Sequence, residues 1–579
     1  MTNRNNQYKH VSPDIEMVVK NHYKGTTDIL ILLIKLQDEY GVLTRKTLDE
    51  VARLLEKPAS HVYGIASFYS MLEVANQVPS EITPRIRVCD GPVCWLCGGS
   101  LESSKSKLIN KFPNGRYERS SCLGLCDRAP AALIEEDQYG PIGGTEEITR
   151  DHKTIATPIN YKIPRPGEQR LLLKNIDLID PDSIESALEN GAYQGLIAAL
   201  KCNPEKVVEE VEKANLYGRG GAGFPTGRKW RFVAEQSSAK KYVICNADES
   251  EPLCFKDRIL IDTNPHQILE GMAIAAFAVG ADHGYIYIRG EYDDQKRRLK
   301  KAIEQAVENR WLGRNIANTE FSFHVEIHQG AGAYICGEET GLIESLEGKR
   351  GEPRKRPPYP PVCGYQNLPT LVNNVETFAA VPHILKNGAD WFKNISPNQA
   401  GGTKLYTVMG HINHPGLFEA KIGLTLREVI NEFGGGMRPG SNFKFALCGG
   451  AAGTIVGESI LDQPIDYGSA QKGISLGAGA FLVCDTNVSP VAMLRELIKF
   501  FLYESCGKCT PCRAGTQRAF ALLTRLAEGN GLPGDIEELK QLADLMEAAS
   551  FCGLGQSVKI PIASALRNFP GEFRTGIRR

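Results

Sequence analysis

The tightest constraint on the fold is the run Cys506-x2-Cys509-x2-Cys512, followed at a distance by Cys552. Three thiols within one or two turns of chain oblige the backbone to curl around a common centre, and the segment after Cys512 must double back to bring in the fourth. Four thiolates placed in this way suit the corners of a [4Fe-4S] cluster. A structural zinc ion is the alternative, although its usual four-cysteine spacing is two CxxC pairs rather than one run with a distant partner.

A second group consists of Cys89-x4-Cys94 and, after a gap, Cys122-x3-Cys126. The pairs read as short loops after strands, and two such pairs can grip a [2Fe-2S] rhomb with one pair on each iron. Cys97, close behind Cys94, is permitted by spacing as a substitute ligand or as part of a zinc site, but the four-cysteine reading is preferred. The chain carries 16 cysteines in all. A disulfide framework of that size would need an oxidising compartment, and residues 1–17 are polar, without the apolar core of a signal peptide. Metal or redox use is the expectation. Cys202, Cys245, Cys254, Cys336, Cys363, Cys448 and Cys484 are scattered singly and read as small buried hydrophobes.

A length of 579 residues exceeds one ordinary core and suggests roughly three to five domains. With 67 basic and 68 acidic residues the net charge is −1, so no overall field would hold the chain to nucleic acid or anionic lipid. The longest apolar stretches, near 29–34 and 272–281, are too short to span a bilayer. A cytoplasmic protein is expected.

Residues 27–75 carry helical signals: Ile29, Leu32, Leu33 and Leu36 form one stripe, Leu48, Val51 and Leu54 another, and Ser60 would cap a helix over 62–71. Short strands at 86–89 and 131–134 follow, then a linker near 158–167. From 170 to 400, strands such as 242–245 and 285–288 alternate with helices such as 265–279, an α/β layout. The segment 404–485 reads as a small α+β module with a strand at 405–409 and one helix, 426–433, stopped by Gly434, Gly435 and Gly436. The rest is helical, at 491–503, 514–527 and 536–549, the last with Ile536, Leu539, Leu542 and Met546 on one face. The expected division is 1–80, 81–160, 161–400, 401–488 and 489–579.

Within the α/β part, Gly218, Arg219, Gly220, Gly221 and Gly223 form a loop followed by Phe224, Lys229 and Trp230. Glycines let backbone N–H groups approach a flat or anionic ligand, the lysine adds a cation, and the two aromatic residues offer ring faces. It is not the Rossmann fingerprint, and a flexible surface loop is the bland alternative. The segments holding Asn246, Asp248 and Glu251, then Tyr334, Gly337, Glu338 and Glu339, then Asn373 and Asn374, join small residues to amide and carboxylate groups. Each is of a kind that binds flavin edges and ribose hydroxyls, though any one alone reads as an ordinary loop.

Taken in order, these motifs and the final cysteine run resemble the NADH- and FMN-binding flavoprotein subunit of respiratory complex I, over residues 170–579. Residues 20–145 resemble a second component, the thioredoxin-like [2Fe-2S] subunit with its N-terminal helical bundle. Joined in one chain, the two are similar to the large diaphorase subunits of NAD-reducing [NiFe] hydrogenases. Close rivals are the flavin subunits of NAD-dependent formate dehydrogenases and of electron-bifurcating hydrogenases, the last disfavoured because no further ferredoxin-like cysteine run follows Cys552.

The resemblance implies a multidomain fold: helical bundle, thioredoxin-like domain, α/β FMN domain, β-grasp module at 404–485 and C-terminal helical bundle. It places Gly218, Lys229, Asn246, Asp248, Tyr334, Gly337, Glu338, Asn373 and Asn374 at FMN, and Phe224, Phe232, Glu251, Glu339 and Tyr359 at NAD(H). Where the family has a lysine before paired prolines this chain has Arg356, so either Arg356 or Lys355 makes that contact. It also implies hydride exchange between NAD(H) and FMN, single-electron passage through the clusters, and as partners a ferredoxin-like small subunit and hydrogenase subunits. A non-catalytic iron-sulfur scaffold is the reading from a different class.

Overall fold

The computed structural model describes residues 15–23, 25, 29–77, 83–143, 159–397 and 400–578. Most of the polar segment 1–17, residues 27 and 28 of the first helical stretch and Pro158 at the head of the expected linker lie outside them. At the centre is a four-stranded parallel sheet in the order Thr370–Asn374, Tyr242–Ala247, His283–Ile288, His324–Gln329. Side chains alternate across it. Val243, Cys245, Ala247, Ile286 and Ile288 join the main core, while Tyr242, Ile244 and Tyr287 join the core of the N-terminal bundle with Ile29, Leu32, Leu33 and Leu36. Both faces are therefore covered, as continuous apolar strands require.

The helix Pro265–Val279 is buried along its whole length except at Phe277, which suits its position inside the main core. Asn264 caps it through Gln267 N–H, Pro265 fits the first turn, and Gly280 ends it at φ 74°. Gly271 lets the helix Val375–Asn387 come close, since a Cβ there would lie 2.0 Å from the Phe378 carbonyl oxygen.

Ser60 is not a cap: the helix runs Ala59–Ala66, starts after Pro58 without a side-chain cap bond, and stops well short of residue 71. The segment read as a linker is a packed strap, with Tyr161 buried and the Arg165 guanidinium donating to the carbonyls of His414 and Phe433, 2.7 Å each.

The N-terminal cysteine domain is a four-stranded sheet in the order Arg116–Ser120, Arg85–Cys89, Ala132–Ile134, Asp137–Tyr139, its first two strands parallel and the others antiparallel. The module after residue 400 is a mixed five-stranded sheet in the order Gly416–Lys421, Thr403–Gly410, Ala480–Asp485, Phe443–Cys448, Thr454–Val456. Its helix opens on a Thr425/Glu428 capping box and continues as a π-turn, Val429–Phe433.

The C-terminal helices are Pro490–Glu504, Thr510–Ala527, Asp535–Ala549 and Lys559–Asn568. The second starts earlier than its apolar period suggests, because Pro511 favours the first helical turn. In the third, Leu539 and Met546 are buried and Ile536 and Leu542 pack against the same core. Among the described residues no helix is long and apolar enough to cross a membrane.

Candidate cluster and cofactor sites

Cys89 ends the strand Arg85–Cys89 and Cys94 sits in the next helix, Pro92–Leu96; Cys122 and Cys126 follow the neighbouring parallel strand. Because Cys89 lies in register with Ser120, both pairs leave the sheet at the same end and meet there. All four are buried, while Cys97 is exposed. The sulfurs of Cys122 and Cys126 are 3.6 Å apart. The Cys126 contact holds the Cys122 thiol down, but the contact from Cys89 and burial together push it up to about 12. Crowded buried thiols become thiolates only around a strongly positive centre, which a pair of irons supplies.

Cys506 follows the helix Pro490–Glu504, Cys509 immediately precedes the helix Thr510–Ala527 with Cys512 in its first turn, and Cys552 immediately precedes Gly553–Ser557. These four line one cavity with Ile335, Pro353 and Lys508. Burial pushes Cys512 and Cys552 up to about 11, so here too bound iron would hold the thiolates. Among the described residues no three of His, Cys, Asp or Glu converge as they would on one ion. A cubane makes no such demand, because each thiolate binds a different iron.

Open α/β sheets take their ligands in a crevice at the carboxyl ends of their parallel strands, and that end of this sheet carries the remaining motif residues. Asn246 and Asn374 stand side by side there, in register on adjacent strands. The glycine loop enters the helix Thr226–Ala234 beside them, and Glu338 and Glu339 open the helix Glu339–Leu346. Asn246 donates to the Gly337 carbonyl at 2.8 Å. Lys229 Nζ lies 3.1 Å from Glu339. Arg356 reaches the same acids, 3.5 Å from Glu338 and 3.7 Å from Glu339, so of the two basic residues before the prolines it is Arg356 that the structure brings to the acidic pair.

The groups present fit a flavin and a dinucleotide. One oxygen of Glu338 caps Thr340 and Gly341 at 2.9 Å, while the other is buried without a hydrogen bond and faces the Arg356 guanidinium at 3.5 Å, an acceptor suited to a hydroxyl group. Phe224, Phe232 and Tyr359 remain 41%, 39% and 52% exposed, with the Arg228 guanidinium over the Phe232 ring and the Arg356 guanidinium over the Tyr359 ring.

Trp230, expected to offer a ring face, does not: it is fully buried and donates to Asn373 Oδ1 at 2.9 Å. The Arg219 guanidinium is likewise withdrawn from any cofactor, donating to Tyr467 Oη at 3.0 Å and to the Gly401 carbonyl at 2.6 Å. Asn374 is held from below, its oxygen accepting from Lys256 at 3.2 Å and its amide donating to Asp257 at 2.6 Å. Glu251 accepts from Tyr334 Oη at 2.6 Å and from Ala451 N–H at 2.5 Å.

One short turn, Tyr334–Gly337, borders a cavity on the side of each cysteine group. Tyr334 lines a polar cavity with Cys122, Asp248, Arg289, Glu291 and Glu504, and Ile335 lines the cavity of the four C-terminal cysteines. In the polar cavity burial raises the Asp248 carboxyl to about 7, with Arg289 opposing the rise. Arg289 also donates to the Cys122 carbonyl at 2.6 Å, tying the N-terminal cysteine loop to the crevice.

Lys256, Arg289 and Tyr467 act on the site from outside its motifs, and sequence reasoning missed them. The only signal for the module's approach was the small-residue run Gly449-Gly450-Ala451-Ala452-Gly453.

Family models match in the same order as these features: the thioredoxin-like [2Fe-2S] ferredoxin over residues 15–149, the Nuo51 FMN-binding domain over 211–383, the SLBB domain over 405–453, and the NADH-ubiquinone oxidoreductase-F iron-sulfur binding region over 492–576. The F 2 component of the NADH-quinone oxidoreductase of Rhizobium meliloti (strain 1021) is 45% identical over 405 residues, 70% of this chain and 96% of that protein. The chain belongs to the NADH-quinone oxidoreductase F family.

Another relative of this F-type flavoprotein is the NADP-reducing hydrogenase subunit HndC of Solidesulfovibrio fructosivorans, 44% identical over 410 residues, 70% of this chain and 83% of that one. The crystal structure of an NAD+-reducing [NiFe]-hydrogenase in the H2-reduced state matches it with a TM-score of 0.80 and 31% identity, covering 96% of this chain and 94% of the other. It is a diaphorase-type NADH-binding flavoprotein, with an FMN-binding domain, a [4Fe-4S] region and a thioredoxin-like [2Fe-2S] domain.

Proposed function

We propose that this flavoprotein is the diaphorase subunit of a soluble, cytoplasmic NAD-reducing hydrogenase, exchanging hydride with NAD(H) and single electrons with its clusters. The observation that carries the reading is the turn Tyr334–Gly337, which heads the acidic pair of the crevice while bordering a cavity on the side of each cysteine group. A redox group seated against that turn would have a cluster on either side. Bound FMN supplies the conversion between a two-electron hydride and single electrons.

The chain's own residues bind and orient. Gly218, Lys229, Asn246, Asp248, Gly337, Asn373 and Asn374 surround the flavin position with the buried oxygen of Glu338. Phe224, Phe232 and Tyr359 hold the dinucleotide by stacking, with Arg356, Glu251 and Glu339 at its polar edge. Cys89, Cys94, Cys122 and Cys126 hold [2Fe-2S]; Cys506, Cys509, Cys512 and Cys552 hold [4Fe-4S] and lead to a ferredoxin-like small subunit.

A structural match that spans the N-terminal and C-terminal parts together favours the hydrogenase over a formate- or quinone-linked complex. Purifying the native complex, identifying its subunits and supplying hydrogen tests this. Co-purifying [NiFe] subunits with hydrogen-driven NAD+ reduction are expected; a formate-oxidising partner, or a stable lone catalyst, would overturn the assignment.

A further inference from the structure

We infer that the five-stranded module is a working wall of the crevice and that Tyr467 is the residue through which it positions the dinucleotide side. The inference rests on the site proposed above. The loop Gly218–Phe224 has an irregular backbone, with Gly221 at φ 122° and Gly223 at φ 65°, and Gly218 N–H closes it on the Phe224 carbonyl at 2.9 Å. A loop of this kind is conformationally permissive, so its shape is imposed by what it packs against.

Tyr467 is placed to impose it. Its ring stacks on Tyr217 at 5.1 Å and 19°. Its hydroxyl donates to the Gly218 carbonyl at 3.3 Å and accepts from Arg219 at 3.0 Å. The ring edge lies so near Gly223 that a Cβ there would be 2.3 Å from Tyr467 Cδ1. Tyr467 thus touches the first two residues of the loop, Gly218 and Arg219, and the glycine immediately before Phe224, whose exposed ring is the stacking face.

The same module grips the opposite wall. Ala451 N–H donates to Glu251, and Gly450 is so close that a Cβ would lie 2.4 Å from the Glu251 carboxylate. One module therefore sets the separation of Phe224 and Glu251, although its sequence shows no cofactor motif. Tyr467 acts through the loop and is a positioning residue.

The test uses the holoprotein with Tyr467→Phe, Tyr467→Ala and, as a control on the site itself, Phe224→Ala. Loss of the hydroxyl alone should weaken NAD+ binding, measured by titration calorimetry on the oxidised protein, by about three- to tenfold. Tyr467→Ala, which also loses the ring, should weaken it further. In both, the KM for NADH should rise in step, with kcat, FMN content and iron content unchanged.

Wild-type NAD+ affinity in both Tyr467 variants, with Phe224→Ala impaired, would overturn the inference and leave the proposed site standing. Flavin loss with an unchanged KM in the loaded fraction would also overturn it, reducing Tyr467 to structural support. Unimpaired binding in Phe224→Ala would overturn the site reading itself.

Discussion

Replacing Cys552 with alanine is expected to remove about four irons per chain and abolish electron delivery to the partner, while NADH still bleaches the flavin. The two functions sit on different elements. Cys552 heads the short helix Gly553–Ser557 and supplies one corner of the cluster site, whereas the crevice is built by the glycine loop and the parallel strands. One direct tie between them is Lys508, which donates to the Pro353 carbonyl at 2.7 Å, on the segment that carries Arg356. Losing the cluster can shift that segment and so alter the KM for NADH, but it leaves Phe224 and Phe232, which lie on the glycine loop and the helix after it, in place. Iron analysis, anaerobic stopped-flow bleaching and an acceptor assay measure the three quantities. Loss of flavin reduction together with the cluster would contradict the order of transfer.

NAD(H) should be preferred over NADP(H) by on the order of 100-fold in kcat/KM, the scale of an uncompensated like-charge contact. The motive is the placement of Glu251 and Glu339 at the dinucleotide side. Glu339 is partnered by Lys229 and Arg356, which blunts its field. The hydrogen-bond donors to Glu251 are neutral, Tyr334 Oη and the N–H groups of Ala451 and Ala452, so they fix its position without cancelling its charge. An added 2′-phosphate would meet that charge. Glu251→Gln, which keeps an acceptor for Tyr334, should narrow the preference more than Glu339→Gln does. A dye-reduction assay with both cofactors decides it, and equal specificity constants in the wild-type protein would overturn the claim.

The cysteine groups were legible because ligand spacing is written in the chain itself, and the gathering of Cys506, Cys509, Cys512 and Cys552 at one cavity needed only a returning helix. The alternation of strands and helices in the α/β part, with the helix over 265–279, was equally plain, but not the parallel order of the strands. What the sequence could not show was contact between distant segments. Trp230 reads as an open ring until the strand bearing Asn373 is packed over it. Arg219 reads as part of the cofactor-binding loop until Tyr467 and the Gly401 carbonyl take up its guanidinium. Ser60 failed for a local reason, since Pro58 presets the chain and starts the helix before the serine. The strap around Tyr161 and Arg165 looked like a linker because proline and glycine punctuate it, yet its partners lie on another module.

The most direct test of the account is the composition and colour of the anaerobically purified protein. It should carry about six irons and one FMN per chain, from one [4Fe-4S] and one [2Fe-2S] centre, and its visible flavin band should bleach on adding NADH. Colourless, flavin-free protein would contradict the enzyme reading altogether, and about four irons with FMN present would contradict the cluster assigned to Cys89, Cys94, Cys122 and Cys126.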